Sequence, residues 1–266
     1  MNDHLQANQK LWDQWTLEHE QSPAYDVAGF KAGKERLRPV ELAELGDVSG
    51  KSLLHLQCHF GLDTLAWARH GAIVTGVDLS EQSIALARSL SQELDIPAQF
   101  HCSDIYQLPT VLSGEFDIVF TSYGVLNWLN DLKRWATIIA HYLKPGGIFH
   151  IVEFHPFSRV FAVDAPELKV SNPYFFAEEP FHFAMQGSYA ATGDSLFHGY
   201  NWNHSLSEIF NALIGAGLQI ECFNEFPFTL RARIAGMVQG EDGLWRLTQQ
   251  HGMVPLLFSI GARKAG

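Results

Sequence analysis

From residue 51 onward the chain alternates short apolar runs with stretches of helical spacing. The segments 52–57 (SLLHLQ), 72–77 (AIVTGV), 99–103, 116–121 (FDIVFT) and 148–154 are short, β-branched or aromatic, and read as strands. Between them, 62–70 repeats apolar residues at helical intervals and stops before Gly71, a residue suited to the left-handed position after a helix. Ser80 stands where an N-cap is wanted for a helix to about residue 94, and Pro97 breaks that helix. The pattern predicts a further helix over 129–143, with Lys144-Pro145-Gly146-Gly147 as punctuation before the fifth strand. A helix over 205–216 and strands over 218–225 and 254–263 complete the count at seven strands. Strands alternating with helices mean βαβ units, and right-handed crossovers put helices on both faces of the sheet. The expected architecture is α/β: a doubly wound, seven-stranded, mainly parallel sheet whose last strand is antiparallel.

Two regions depart from this rhythm. Residues 1–20 form an amphipathic helix with Leu5, Leu11, Trp12 and Trp15 among polar neighbours, followed by a looser stretch and a short helix over 35–45. Residues 155–200 are rich in aromatics and hold four prolines, and read as an insertion over the ligand edge of the sheet. The expected organisation is 1–46 N-terminal helices, 47–154 sheet core, 155–200 insertion and 201–266 the C-terminal part of the same sheet.

Composition narrows the function. In 266 residues, 47% hydrophobic and 18% charged, a large core is available and disorder is not expected. A net charge of −11 gives no general attraction to phosphate backbones or anionic lipid, so neither nucleic acid nor a membrane is an expected partner. No run approaches the ~20 apolar residues of a membrane span. Three cysteines, Cys58, Cys102 and Cys222, make no disulfide framework and point to a cytoplasmic protein. There is no H-E-x-x-H pattern and no cysteine pair with zinc spacing, so no metal centre is expected.

In a doubly wound sheet, ligands bind beyond the carboxyl ends of the strands, near the point where strand order reverses. Asp78 and Asp104 each follow a strand at that edge. Asp78 lies 17 residues after Gly61, close to the spacing at which a carboxylate accepts from ribose hydroxyls. The plainer role for either aspartate is to cap the helix that follows.

Taken together, five segments resemble the class I S-adenosylmethionine-dependent methyltransferases of the small-molecule type: 53–61 (LLHLQCHFG), 74–80 (VTGVDLS), 102–109 (CSDIYQLP), 116–128 (FDIVFTSYGVLNW) and 143–147 (LKPGG). Their order and spacing agree with that family over residues 51–154. The resemblance implies a Rossmann-like fold, S-adenosyl-L-methionine as cofactor with S-adenosyl-L-homocysteine as product, and a small-molecule methyl acceptor. It further implies that Asp78 holds the ribose, Leu79 packs on the adenine, Asp104 accepts from the adenine amino group and Ile105 offers its backbone N–H. Ser122 and Tyr123 would line the methionine side, and the N-terminal helices would form a lid. The first segment departs from the family: His55 stands at the acidic position and Gln57 and His59 at two glycines, leaving Gly61. Gln57 can offer its side-chain amide to the methionine end.

For the acceptor, Glu153, His155, His182, His198 and His204 are acid–base candidates, with His155, just past the fifth strand, the best placed as catalytic residue. Trp128, Trp202 and Tyr25 are candidate walls of an apolar substrate pocket, although each is equally suited to core packing. Oligomeric state is open between monomer and homodimer. Two other functions compete. A nicotinamide-dependent dehydrogenase would want G-x-G-x-x-G where the chain reads Q-C-H-F-G-L, and fits poorly. A non-catalytic S-adenosylmethionine-binding or regulatory protein on the same fold is compatible with the altered first segment.

Overall fold

The computed structural model describes residues 3–163, 165–249 and 252–266; positions 1 and 2 of the expected first helix, and position 164 of the expected insertion, lie outside them. Strands β1 (Ser52–Leu56), β2 (Ile73–Asp78), β3 (Ala98–Cys102), β4 (Phe116–Ser122), β5 (Leu143–Phe154), β8 (Leu218–Phe226) and β11 (Leu257–Lys264) form one seven-stranded sheet in the order β3-β2-β1-β4-β5-β11-β8. β1 to β5 pair in parallel, and β11, the last strand, runs antiparallel to β5 and β8. The strand order reverses at β1, where the loops after β1 and β4 diverge and leave a crevice.

Side-chain alternation explains why the strands read as unbroken apolar runs. Leu53, Ile118 and Phe120 point into one core, with Trp67 of helix α4 (Leu62–Arg69) and Ile84 of helix α5 (Glu81–Glu93). Leu54, Leu56 and Val119 point into the other, with Ile139 of helix α6 (Leu132–Tyr142) and Leu213 of helix α7 (Leu206–Gly215). A sheet covered on both faces needs apolar residues at every position.

Local chemistry sets most boundaries. Ser80 caps α5, its hydroxyl accepting from the Ser83 N–H, and Ser205 with Glu208 forms a capping box on α7. α6 begins later than expected because Asp131 caps it, accepting from the Arg134 N–H, while Leu126–Trp128 forms a separate 3-10 turn. The Leu-Lys-Pro-Gly-Gly segment is not a turn before β5 but its first part. Leu143 pairs with Phe116, a register irregularity lies between Phe116 and Ile118, and Lys144 Nζ stands 2.9 Å from Asp117.

The N-terminal region is more helical than its sequence pattern indicated. Helix α1 (Asp3–Gln21) is followed by α2 (Val27–Lys31) and by α3 (Pro39–Leu45), which starts at Pro39 rather than residue 35. α1 is tied to α5 and to the chain around residue 200: Ser80 Oγ donates to Asp13 Oδ1 at 2.7 Å, Thr16 and Ser83 hydroxyls meet at 2.6 Å, and the Asn8 side chain brackets the Tyr200 backbone at 2.8 Å on both sides. Two short hairpins escaped the strand pattern. β6 (Phe181–Gln186) pairs with β7 (Leu196–Asn201), and β9 (Met237–Gln239) with β10 (Trp245–Leu247).

Candidate active site

The loops after β1 to β5, the inner face of α1, the β6–β7 hairpin and residues 230–233 enclose one cavity of about 1220 Å³. A single-ligand site is roughly 300–1,000 Å³, so this cavity has room for two small ligands.

Its floor is the loop from Gln57 to Gly61. Gln57, His59 and Gly61 all hold left-handed backbone angles, φ 57°, 51° and 78°. Gly61 is required for packing: a Cβ there would stand 2.7 Å from the Phe100 ring and 3.1 Å from Ala87. Gln57 and His59 take the same region with side chains attached, and both line the cavity. The Gln57 amide donates to the Val125 carbonyl at 3.2 Å, and its Oε1 is buried without a partner.

At the tip of β2, Asp78 accepts from the His59 N–H through Oδ2 at 2.7 Å and from the Ser80 N–H through Oδ1 at 2.9 Å. Burial outweighs these bonds and pushes its carboxyl up to about 6. Beyond β3, Asp104 caps the 3-10 turn Ile105–Thr110, accepting from the Tyr106 N–H at 3.0 Å, and burial raises it as well. Each aspartate caps a turn and also faces the cavity, as do Leu79, Ile105, Ser122 and Tyr123.

A polar cluster, of which the sequence singled out His55, Ser122 and Tyr123 but not Asp63, Arg36 or Glu41, supports the β1 and β4 tips. His55, at the family's acidic position, is buried and lowered to about 4, its Nδ1 2.8 Å from the Thr64 hydroxyl. The nearby carboxylate is Asp63, which pairs with Arg36 at 2.8 Å and accepts from the Ser122 hydroxyl at 3.2 Å. Arg36 holds Asp63 below its ordinary range despite burial. The one legible signal was an aspartate two residues past Gly61; Arg36 lies too far back along the chain to be linked to it. Glu41 bonds the Tyr123 hydroxyl and is pushed up to about 8 by burial and by Asp63.

Of the acceptor candidates, His182, Trp128 and Tyr25 line the cavity, and His155, His198 and His204 do not. Trp128 packs with Trp12, ring centroids 5.2 Å apart, and with Phe183 at 6.0 Å. Trp202 does not line it; its indole N–H is turned to the Glu178 carbonyl at 3.2 Å. His155 is likewise corrected. It caps the 3-10 turn Pro156–Val160, Nδ1 accepting from the Phe157 N–H at 3.1 Å, and Nε2 lies 2.8 Å from Glu225. His155 is not among the residues that line the cavity, so it is not placed to act on an acceptor bound there. Glu153 is spent too, accepting from the backbone N–H groups of Gly124, Val125 and Leu126.

Comparison with known proteins bears on the fold and on the methyltransferase domain. Residues 54–151 match the family described as methyltransferase domain. The chain is 37% identical over 126 residues to a ubiquinone biosynthesis O-methyltransferase of Coxiella burnetii, covering 46% of this chain and 53% of that protein. It thus spans about half the length of the curated relatives it matches. Among solved structures, an S-adenosylmethionine-dependent methyltransferase from Mesorhizobium loti superposes with TM-score 0.61 at 22% identity, over 88% of this chain and 100% of that one. A protein described as a putative methyltransferase of the same type, from Listeria monocytogenes, gives 0.61 at 19%, over 91% and 100%. At such identities the likeness is one of fold.

Proposed function

We propose that the chain, whose residues 54–151 match a methyltransferase domain, is a class I S-adenosylmethionine-dependent methyltransferase and that it methylates a small molecule. The observation that carries this reading is the pair of carboxylates, Asp78 and Asp104, at neighbouring strand tips on one cavity. Bound there, S-adenosylmethionine supplies an electrophilic methyl group to a nucleophilic atom of the acceptor.

The residues present fit that cofactor. Asp78 uses one backbone N–H per oxygen, which leaves lone pairs for ribose hydroxyls. Asp104 and the Ile105 backbone suit the adenine edge, with Leu79 against the ring. The orphaned Oε1 of Gln57 suits an ammonium, with Ser122 and Tyr123 beside it. Trp12, Trp128 and Tyr25 wall the remaining space and keep water from it. Alignment of a nucleophile in such an enclosure supplies on the order of 7–11 kcal/mol at best. A base is then optional, and no step is assigned to His155.

We further place residues 1–46 as the lid, 47–154 as the cofactor domain, 155–200 as the acceptor cover and 201–266 as completion of the sheet. No described helix is long and apolar enough to cross a membrane. A cytoplasmic monomer or homodimer acting without nucleic acid is our reading of the acidic charge and the free cysteines.

The test is incubation with methyl-labelled S-adenosylmethionine and a panel of small acceptors, hydroxylated ones first because the Coxiella relative is named an O-methyltransferase. Labelled product is expected. Cofactor binding with no product from any acceptor would favour the non-catalytic protein instead, and binding of NADH in its place would favour a dehydrogenase.

A further inference from the structure

Three arginines line the cavity near the end of β5. Arg159 follows β5, and Arg231 and Arg233 come from the 230–233 segment; all three line the cavity. The R-A-R spacing sets Arg231 and Arg233 two positions apart. None of the three forms a salt bridge among the described residues, whereas Arg36, Arg246 and Arg263 each do. Their contacts are neutral. Arg159 Nε donates to Asn203 Oδ1 at 3.4 Å, Arg233 Nη1 donates to the Ser158 carbonyl at 3.1 Å, and Arg231 lies over the Tyr189 ring at 4.1 Å and the Phe154 ring at 5.3 Å. Arg231 Nε is buried with no hydrogen-bond partner.

Such a cluster is costly by itself. Burial lowers all three, Arg159 to about 10 and Arg233 to about 9; neighbouring guanidiniums add to this at Arg159 and Arg233, and the attraction of Glu153 for Arg159 and Arg231 does not make up for it. The buried carboxylate nearest in sequence, Glu153, is engaged by three backbone N–H groups of the β4 loop. In a chain of net charge −11, a cationic pocket of this kind needs a ligand to account for it.

Position separates that ligand from the nucleoside. β5 is three strand spacings from β2, or about 14 Å at about 4.8 Å per spacing. Arg159 follows β5, Arg231 lies over the Phe154 ring and Arg233 donates to the Ser158 carbonyl, so all three stand at the β5 end of a cavity whose apolar wall is Trp12, Trp128 and Phe183. We propose that Arg159, Arg231 and Arg233 bind an anionic group, a carboxylate or a phosphate, on an acceptor whose apolar body lies against the tryptophans. Guanidinium forks match the paired oxygens of both groups. The assignment to an acceptor rests on the methyltransferase reading above.

The experiment uses the full chain loaded with S-adenosylhomocysteine and titrated with benzoate, phenyl phosphate and neutral benzamide, followed by calorimetry or ligand-observed NMR. At least one anion is expected to bind at one site, about tenfold or more tighter than benzamide, and whichever anion binds names the group. Arg231→Gln and Arg233→Gln should each weaken that anion by about tenfold or more while S-adenosylhomocysteine affinity stays within about threefold. Neither variant should lower the melting temperature by more than a few degrees, because each removes a buried charge that has no salt bridge. Equal binding of benzamide, undiminished anion binding by both variants, or displacement of S-adenosylhomocysteine by the anion would overturn the proposal. If the wild-type chain binds no S-adenosylhomocysteine, the methyltransferase reading fails, and the same titrations on the cofactor-free chain still decide whether the arginines hold an anion.

Discussion

Asp78 carries a pH dependence whose sign follows from its environment. Burial raises its carboxyl to about 6, above the ordinary 3.8, so the folded protein without ligand holds a proton there that the unfolded chain releases. That contribution to stability is complete below the ordinary value and is lost as pH rises through about 6. Cofactor binding runs the other way, because ribose hydroxyls donate to the ionised form. Affinity for S-adenosylhomocysteine should rise as pH increases through about 6 and level off above about 7. Asp78→Asn should remove that step and weaken binding by about 1–3 kcal/mol, read by calorimetry across pH. A step that survives in the variant would assign the titration to another group. His155→Ala gives the contrasting outcome. It deletes a turn cap and the partner of Glu225, so urea denaturation should show about 1–3 kcal/mol lost while S-adenosylhomocysteine affinity is unchanged. At this scale the sequence revealed Asp78 and Asp104 because a residue at a strand end has one direction to face. It misplaced His155 because the turn after β5 rotates the ring toward Glu225, and nothing local to residues 153–157 records that glutamate. The arginines and the Arg36–Asp63 pair were hidden for the same reason: their meaning lies in neighbours distant along the chain.

Elements were easier to read where one local rule dominated. Ser80 marked a cap directly, and the apolar runs of β1 and β4 marked strands buried on both faces. Leu-Lys-Pro-Gly-Gly misled because proline and glycine signal turns, while pairing with β4 keeps the segment in the sheet as an irregular strand. The β6–β7 hairpin was missed because its strands alternate weakly and leave Phe181 and Leu196 exposed. The β1–α4 junction shows how an element constrains the site. Gly61 is the N-cap of α4 in a left-handed conformation, pressed against Phe100. Gly61→Ala should therefore cost about 1–3 kcal/mol of stability, from backbone strain and overpacking together. Because the same loop delivers the His59 N–H to Asp78, cofactor affinity should fall with it. A variant that melts like the wild type would show that Phe100 gives way and that the loop is not held by this contact.

At the scale of the molecule, the cavity is bordered by parts that are otherwise separate: the strand tips, α1, the β6–β7 hairpin and the 230–233 segment. α1 is held by polar contacts to α5 and β7 and by Leu11 and Trp15 packed on Phe197, and a ligand in the cavity would bridge these pieces. A ligand that binds only the folded chain stabilises it by mass action, about 2.7 kcal/mol at a concentration one hundred times its dissociation constant. For a chain of this size each kcal/mol moves the melting temperature by roughly 2–4 °C, so S-adenosylhomocysteine at that excess should raise it by about 5–10 °C. NADH should leave it unmoved, since the first loop lacks the glycines that admit a dinucleotide pyrophosphate. Asp78→Asn at the same ligand concentration should give a smaller shift, because fewer sites are filled. Hydrogen exchange locates the effect: added protection across residues 8–19 of α1 as well as the β1 and β2 tips is expected if the N-terminal helix closes on the ligand. Protection confined to the strand tips would leave α1 as a fixed wall and would move the lid, if there is one, to the hairpin.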